Sequence, residues 1–230
     1  MRVKIPILTA IVFVIVLMTK WLFPSAIPYT IFQLWSTTGS LWQWLNSAWP
    51  IFIWGASCAI VISIFKKPVN GNGRYPIVRK VFVAVQAGVV EEICFRWLTF
   101  MSMIAGIKTL NFLFFGWLGF GIPKFIQIYI AGPISNLLTL GYLSDTLSNP
   151  ANWAIGAALL LSNELFGGAH SDEKGWFGYL NSQLAGMFFF WLLFKYGLLA
   201  CIVVHFLYDF LIVIIIYVKR KIGVSHLALQ

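Results

Sequence analysis

Residues 198–218, LLACIVVHFLYDFLIVIIIYV, carry two ionisable groups, His205 and Asp209, in an otherwise apolar or neutral run. About 20 apolar residues span the hydrocarbon core of a bilayer as a helix. This one segment therefore commits the chain to a membrane. The rest of the 230 residues repeats the signal: 60% are hydrophobic and 10% charged, with a mean hydropathy of +0.86. A soluble domain is nearer half apolar and a quarter charged. No polar tract is long enough for a second folded unit, so residues 1–230 read as a single integral membrane domain.

Further apolar segments lie at about 5–23, 48–65, 77–105, 151–170 and 176–196. Residues 109–143 are apolar but interrupted by GFGIPK at 119–124, and make one long span or two short ones. The expected fold is an all-α polytopic transmembrane bundle of about eight spans, or seven if 109–143 crosses once. The start MRVKIPILTAIVFVIVLMTKWLFP resembles a signal peptide but lacks a small-x-small site after its apolar run, so it reads as a retained first span. The aromatic stretch 24–47 suits a short helix along the outer surface, because Trp and Tyr favour the membrane interface.

The net charge of +9 comes from 16 Lys and Arg against 7 Asp and Glu. The basic residues are scattered between apolar spans and build no continuous face, which speaks for membrane topology and against nucleic-acid binding. The loop KKPVNGNGRYPIVRK (66–80) and KRK (219–221) should both be cytoplasmic. The chain must then leave residue 105 and return to residue 145 on the outer side, through two crossings or none. Two give the eight-span bundle, with a cytoplasmic turn at Pro123–Lys124; the first of the pair, about 109–121, is too short for a full span and suits a re-entrant or tilted segment. The cysteines Cys58, Cys94 and Cys201 lie in apolar runs without a CxxC pair, as small core residues do.

Ionisable groups inside spans are costly, so each is a functional candidate. Glu91, Glu92 and Arg96 share one span. Successive helical residues turn by about 100°, so Glu92 and Arg96 (i, i+4) meet on one face while Glu91 points elsewhere. The arginine can neutralise one carboxylate and leave the other as a general base. An ion-pair cluster that only ties helices together is the plain alternative. In NELFGGAHSDEK (163–174), Phe166 and His170 are i, i+4 neighbours, Gly167 and Gly168 admit a close backbone, and Glu164 has no assigned role. His205 and Asp209 are again i, i+4. The carboxylate there either orients the imidazole or contacts a substrate carbonyl alongside it. Three spans thus offer acids, imidazoles and a guanidinium that can meet only in the bundle interior. No Ser sits in a GxSxG setting, so water is the favoured attacking group. Simple depth counting sets Glu91 near mid-membrane, His170 near the cytoplasmic end and His205 in the outer half. Convergence therefore requires tilted or broken helices, or a different span count.

EExxxR at Glu91–Arg96, FxxxH at Phe166–His170 and HxxxN/D at His205–Asp209 occur in that order on separate spans. Together they resemble the CAAX protease and bacteriocin-processing family, also called CPBP or Abi. They are similar to the catalytic motifs of the type II CAAX prenyl endopeptidase. The resemblance covers about 88–210, within a catalytic core of about 77–218. It implies a glutamate protease in which Glu91 activates water with His170. Glu92 and Arg96 would support it as a charge pair, His205 and Asp209 would face the oxyanion, and Phe166 would contact substrate. The family commonly has Asn at the position of Asp209. The implied enzyme needs no cofactor, although such proteins were long labelled metalloproteases. Zinc is the alternative, since two histidines and a glutamate form a ligand set; against it stand the lack of HExxH and the cationic Arg96. Implied partners are membrane lipids and a peptide or protein substrate, lipidated or a peptide precursor. The implied location is a bacterial cytoplasmic membrane. Two other classes fit the same residues: a non-enzymatic immunity or scaffold protein that keeps the polar contacts, and a proton-coupled transporter.

Overall fold

The computed structural model describes the backbone over residues 4–65 and 77–227, and side chains over 9–61, 77–170 and 175–219. Among these residues every regular element is helical. The first two helices are α1 (Lys4–Leu22) and α2 (Leu41–Phe65). Then α3 (Ile77–Glu91) runs through a π-helical stretch (Glu92–Thr99) into α4 (Phe100–Leu113). Next come α5 (Ile122–Ile126), a second π-helical stretch (Gln127–Ala131), α6 (Gly132–Leu138) and α7 (Ser144–Leu147). The chain closes with α8 (Trp153–Tyr196) and α9 (Leu198–Leu227). α8 is two helical arms joined at Gly175, whose φ of 65° and ψ of −165° break the helix. Most of the basic loop at 66–80 lies outside the described residues.

Among the described residues three helices are long and apolar enough to cross a membrane: Leu41–Val61, Gly175–Tyr196 and Leu198–Lys219. Thr9–Leu22 is apolar but shorter. Outward-facing apolar side chains such as Trp21, Trp42, Val78 and Leu137 are exposed, as a bundle solvated by lipid requires.

The eight-span count is not confirmed, and 109–121 is too short to count as a full span. No separate helix forms there: α4 continues to Leu113, and the chain then turns through Gly116–Leu118. The turn is closed by Asn111, whose Oδ1 accepts the Lys124 N–H at 2.8 Å. The following α5–α6 run also stays near its starting point, because Gln127 donates to the Leu147 carbonyl at 3.2 Å, shortly before α8 begins. Glycines sit wherever this hairpin touches itself. A Cβ on Gly132 or Gly156 would meet Gln127 and the backbone of α7. The 24–47 stretch, expected as an interfacial helix, forms one short 3₁₀ turn (Gln33–Trp35), and α2 begins earlier than the apolar run suggested.

One end of the bundle is fastened by a few long-range contacts. Thr38 hydroxyl donates to the Lys195 carbonyl at 2.9 Å, Ser47 and Tyr196 hydroxyls lie 2.7 Å apart, and Lys108 donates to the Ser25 carbonyl at 3.1 Å. Gly197, with φ of +90°, turns α8 into α9 there. Below these contacts Phe100, Phe189, Phe190, Leu192 and Val204 pack into one core with no measurable exposure.

Candidate active site

The site forms where α3 meets α9. Gly88, one turn before Glu92, lets the two backbones touch: a Cβ there would stand 3.0 Å from the Phe206 nitrogen and 3.3 Å from the Ile202 carbonyl oxygen. Immediately afterwards the helix changes to π geometry at Glu92–Thr99, the EExxxR segment itself. π-turns are uncommon and often mark functional sites. Here one is fastened from outside, since the Ser162 hydroxyl of α8 donates to the Phe95 carbonyl at 2.6 Å.

Glu92 is fully buried and pinned on both sides. Its Oε1 lies 2.7 Å from His205 Nδ1, and its Oε2 lies 3.4 Å from Arg96 Nε. A carboxylate accepts, so Nδ1 is the protonated ring atom in this contact and Nε2 is turned away from Glu92. His205 also stacks on Phe189, with ring centroids 4.6 Å apart at 22°. Arg96 has no measurable exposure and lies over the Phe166 ring at 3.8 Å, a desolvated cation–π contact.

Glu91 points the other way, as the 100° rotation expects. Its Oε2 lies 3.7 Å from His170 Nε2 and 3.9 Å from His205 Nε2. His170 Nδ1 is 2.8 Å from the Phe166 carbonyl, which accepts its proton and leaves Nε2 facing Glu91. Asp209 Oδ2 is 3.8 Å from the same His205 Nε2. The orienting carboxylate at Nδ1 is therefore Glu92, and Asp209 lies on the working side of the ring. Glu91 also lines a cavity of about 490 Å³ between α1, α3 and α8, with Thr9, Val12, Gln86, Cys94 and Ala169 among its walls. Apart from Glu91 the lining carries no charge among the described residues.

The six ionisable residues expected to meet do meet: Glu91, Glu92, Arg96, His170, His205 and Asp209. Phe166 is in the cluster but only 2% exposed, packed against Arg96, Phe95 and His170. Glu164 belongs elsewhere, accepting from Tyr179 at 2.6 Å and Gln183 at 2.9 Å. What approaches Gly167 is the Gln183 side chain, where a backbone was expected. All three cysteines are free, and Cys94 is the one that reaches the cavity, 3.3 Å from Thr9 Oγ1. Zinc requires donors about 2.0–2.3 Å from a common point, and among the described residues no three His, Cys, Asp or Glu side chains are grouped to hold a metal.

A helical membrane protein with a buried carboxylate–imidazole–guanidinium cluster opening on an apolar cavity is the class that fold and site define. The chain belongs to the family described as type II CAAX prenyl endopeptidase Rce1-like, whose model matches residues 73–211. Membership implies a membrane-embedded protease acting on peptide or protein substrates. No curated protein and no solved structure matches the chain. The matched region holds every residue of the cluster but omits α1, which supplies the Thr9 and Val12 wall of the cavity.

Proposed function

We propose that the chain is an intramembrane glutamate endopeptidase that hydrolyses a peptide bond beside the lipid, with Glu91 as general base. The supporting observation is the Glu91 carboxylate at the edge of the cavity, with His170 Nε2 at 3.7 Å and His205 Nε2 at 3.9 Å from one oxygen. These separations suit one water held between them. Its two hydrogens would point to Glu91 Oε2 and His170 Nε2, leaving the oxygen free to attack. Glu91 takes a proton as the C–O bond forms and returns it to the amine nitrogen as the C–N bond breaks. In its cationic form, with Nδ1–H donated to Glu92, His205 offers Nε2–H to the oxyanion. Asp209 then steadies that donor.

The substrate enters from the lipid side through the cavity, whose largely apolar walls favour apolar groups near the scissile bond. Lipidated CAAX segments and peptide precursors both have that character. With both basic ends on the cytoplasmic face, six helices cross: α1, α2, α3–α4, the two arms of α8, and α9. The α5–α7 hairpin does not cross, and this satisfies the sequence parity for residues 106–145 with none instead of two crossings. The location is then a bacterial cytoplasmic membrane.

The test is cleavage of prenylated and unprenylated CAAX peptides by protein in proteoliposomes, for wild type and Glu91→Gln, each with and without a zinc chelator. Cleavage by wild type that survives chelation and is lost in Glu91→Gln is expected. Undiminished cleavage by Glu91→Gln removes the proposed base, and loss on chelation would make the site a zinc centre.

A further inference from the structure

Behind the Glu92–Arg96 pair lies a second layer that no motif includes. Asn163, on the first arm of α8, is 1% exposed. Its amide donates to the Gln183 backbone carbonyl at 3.0 Å and to Gln183 Oε1 at 2.6 Å. Both partners are acceptors, and a backbone carbonyl cannot reverse its role, so the orientation of the Asn163 amide is fixed. Its Oδ1 must therefore face away from Gln183. That oxygen is buried with no hydrogen-bond partner, and so are all three guanidinium nitrogens of Arg96, whose Nε makes only an ion pair with Glu92 at 3.4 Å. Leaving a buried acceptor and buried donors unsatisfied is costly, so their placement relative to each other is decisive.

Both lie close to one point. A Cβ on Gly186 would stand 2.9 Å from Arg96 Nη2 and 3.0 Å from the Phe166 ring, and would collide with Asn163 Oδ1. Gly186 thus leaves open the gap that separates a lone acceptor from a lone cationic donor. In lipid surroundings no bulk water competes for either group.

We infer that Asn163 is a positioning residue of the active site. Its Oδ1 accepts from the Arg96 guanidinium, and Gly186 provides the space for that contact. Arg96 is then held on two sides, by Glu92 at Nε and by Asn163 at Nη2, above the Phe166 ring. The order runs from Asn163 through Arg96 and Glu92 to His205 Nδ1, so the amide fixes which imidazole nitrogen faces Glu91. The kinetic consequence rests on the protease reading; the guanidinium contact does not.

The experiment compares Asn163→Ala and Asn163→Asp in proteoliposomes with two readouts. The first is kcat and KM for the peptide that wild type cleaves. The second, independent of activity, is the ¹⁵N spectrum of Arg96, where a guanidinium held at Nη2 gives resolved Nη signals. Asn163→Ala removes the acceptor. It should average the Nη signals and lower kcat by about 10–100-fold with KM little changed, as sub-ångström misplacement near the chemistry does. Asn163→Asp keeps an acceptor toward Arg96 but sets its second oxygen against two acceptors of Gln183, so it should retain resolved signals and lose less kcat than Asn163→Ala. Resolved Nη signals in Asn163→Ala, or equal losses in both variants, would overturn the inference and make Asn163 a helix-packing amide. If Asn163→Ala does not fold, Asn163→Asp decides alone: retained Nη signals support the contact, and averaged ones contradict it. If wild type cleaves nothing, the protease reading falls while the spectra still decide the contact.

Discussion

The two adjacent glutamates of the same helix live in opposite environments. The Glu92 side chain has no measurable exposure and is enclosed by Arg96 at 0% and His205 at 5%. The Glu91 side chain is 27% exposed and faces His170 at 19%, with Asp209 at 30% across the His205 ring. One carboxylate is committed to neutralising and orienting its neighbours, and the other keeps an oxygen for a substrate or water. A single helical step of about 100° produces this division of labour. A charged pair in an apolar span thus need not be one functional unit. Glu92 builds the site that Glu91 uses.

The comparison can be sharpened on the exposed side first. His170→Leu removes the second nitrogen facing Glu91 and should lower kcat by about 10²–10⁴-fold, the usual range for a positioned acid–base group. Its melting temperature should fall only by the loss of the Phe166 carbonyl contact, which calorimetry in detergent would show. On the buried side the balance reverses. Gly88→Ala forces α3 off α9 and should cost about 1–3 kcal/mol of stability by overpacking, read from denaturation midpoints. Activity should fall as well, because the Glu92–His205 contact of 2.7 Å opens with it. A variant as stable as wild type would show that the helices do not meet as closely as described. Ser162→Ala should cost about 1 kcal/mol through the freed Phe95 carbonyl, with a smaller loss of activity. The smallest effect is expected at the cavity wall. Val12→Trp should shift preference among substrates differing in apolar bulk by about tenfold and leave the rate on the smallest nearly unchanged. Equal rates on all of them would remove α1 from the substrate path.

Much of the cluster was legible because charges in a lipid-spanning chain have few reasons to exist. Glu91, Glu92, Arg96, His170, His205 and Asp209 stood out against apolar surroundings, and helical spacing separated the roles of the two glutamates. Spacing also paired His205 with Asp209 alone, since a contact from another helix leaves no trace in local periodicity. Glu92, 113 positions away in sequence, proved the closer partner. Ser162 and Asn163 were passed over because they are neutral, although a polar pair inside LLLSNEL was a usable signal. No residue pattern announces a π-turn, and that turn supplies the irregular helix geometry at the EExxxR segment. The span count was not legible for another reason: hydropathy cannot tell an apolar segment that crosses from one that folds back, and the Asn111 and Gln127 contacts between 111 and 147 leave no trace in it.

The most direct measurement is a parallel determination of kcat and melting temperature for Glu91→Gln and Glu92→Gln in the same lipid. The account predicts that Glu91→Gln is inert and melts close to wild type. Glu92→Gln should lose about 3–5 kcal/mol of stability, as breaking a buried ion pair does. A Glu91→Gln protein that still cleaves at the wild-type rate, or a Glu92→Gln protein as stable as wild type, would contradict the division between the two carboxylates.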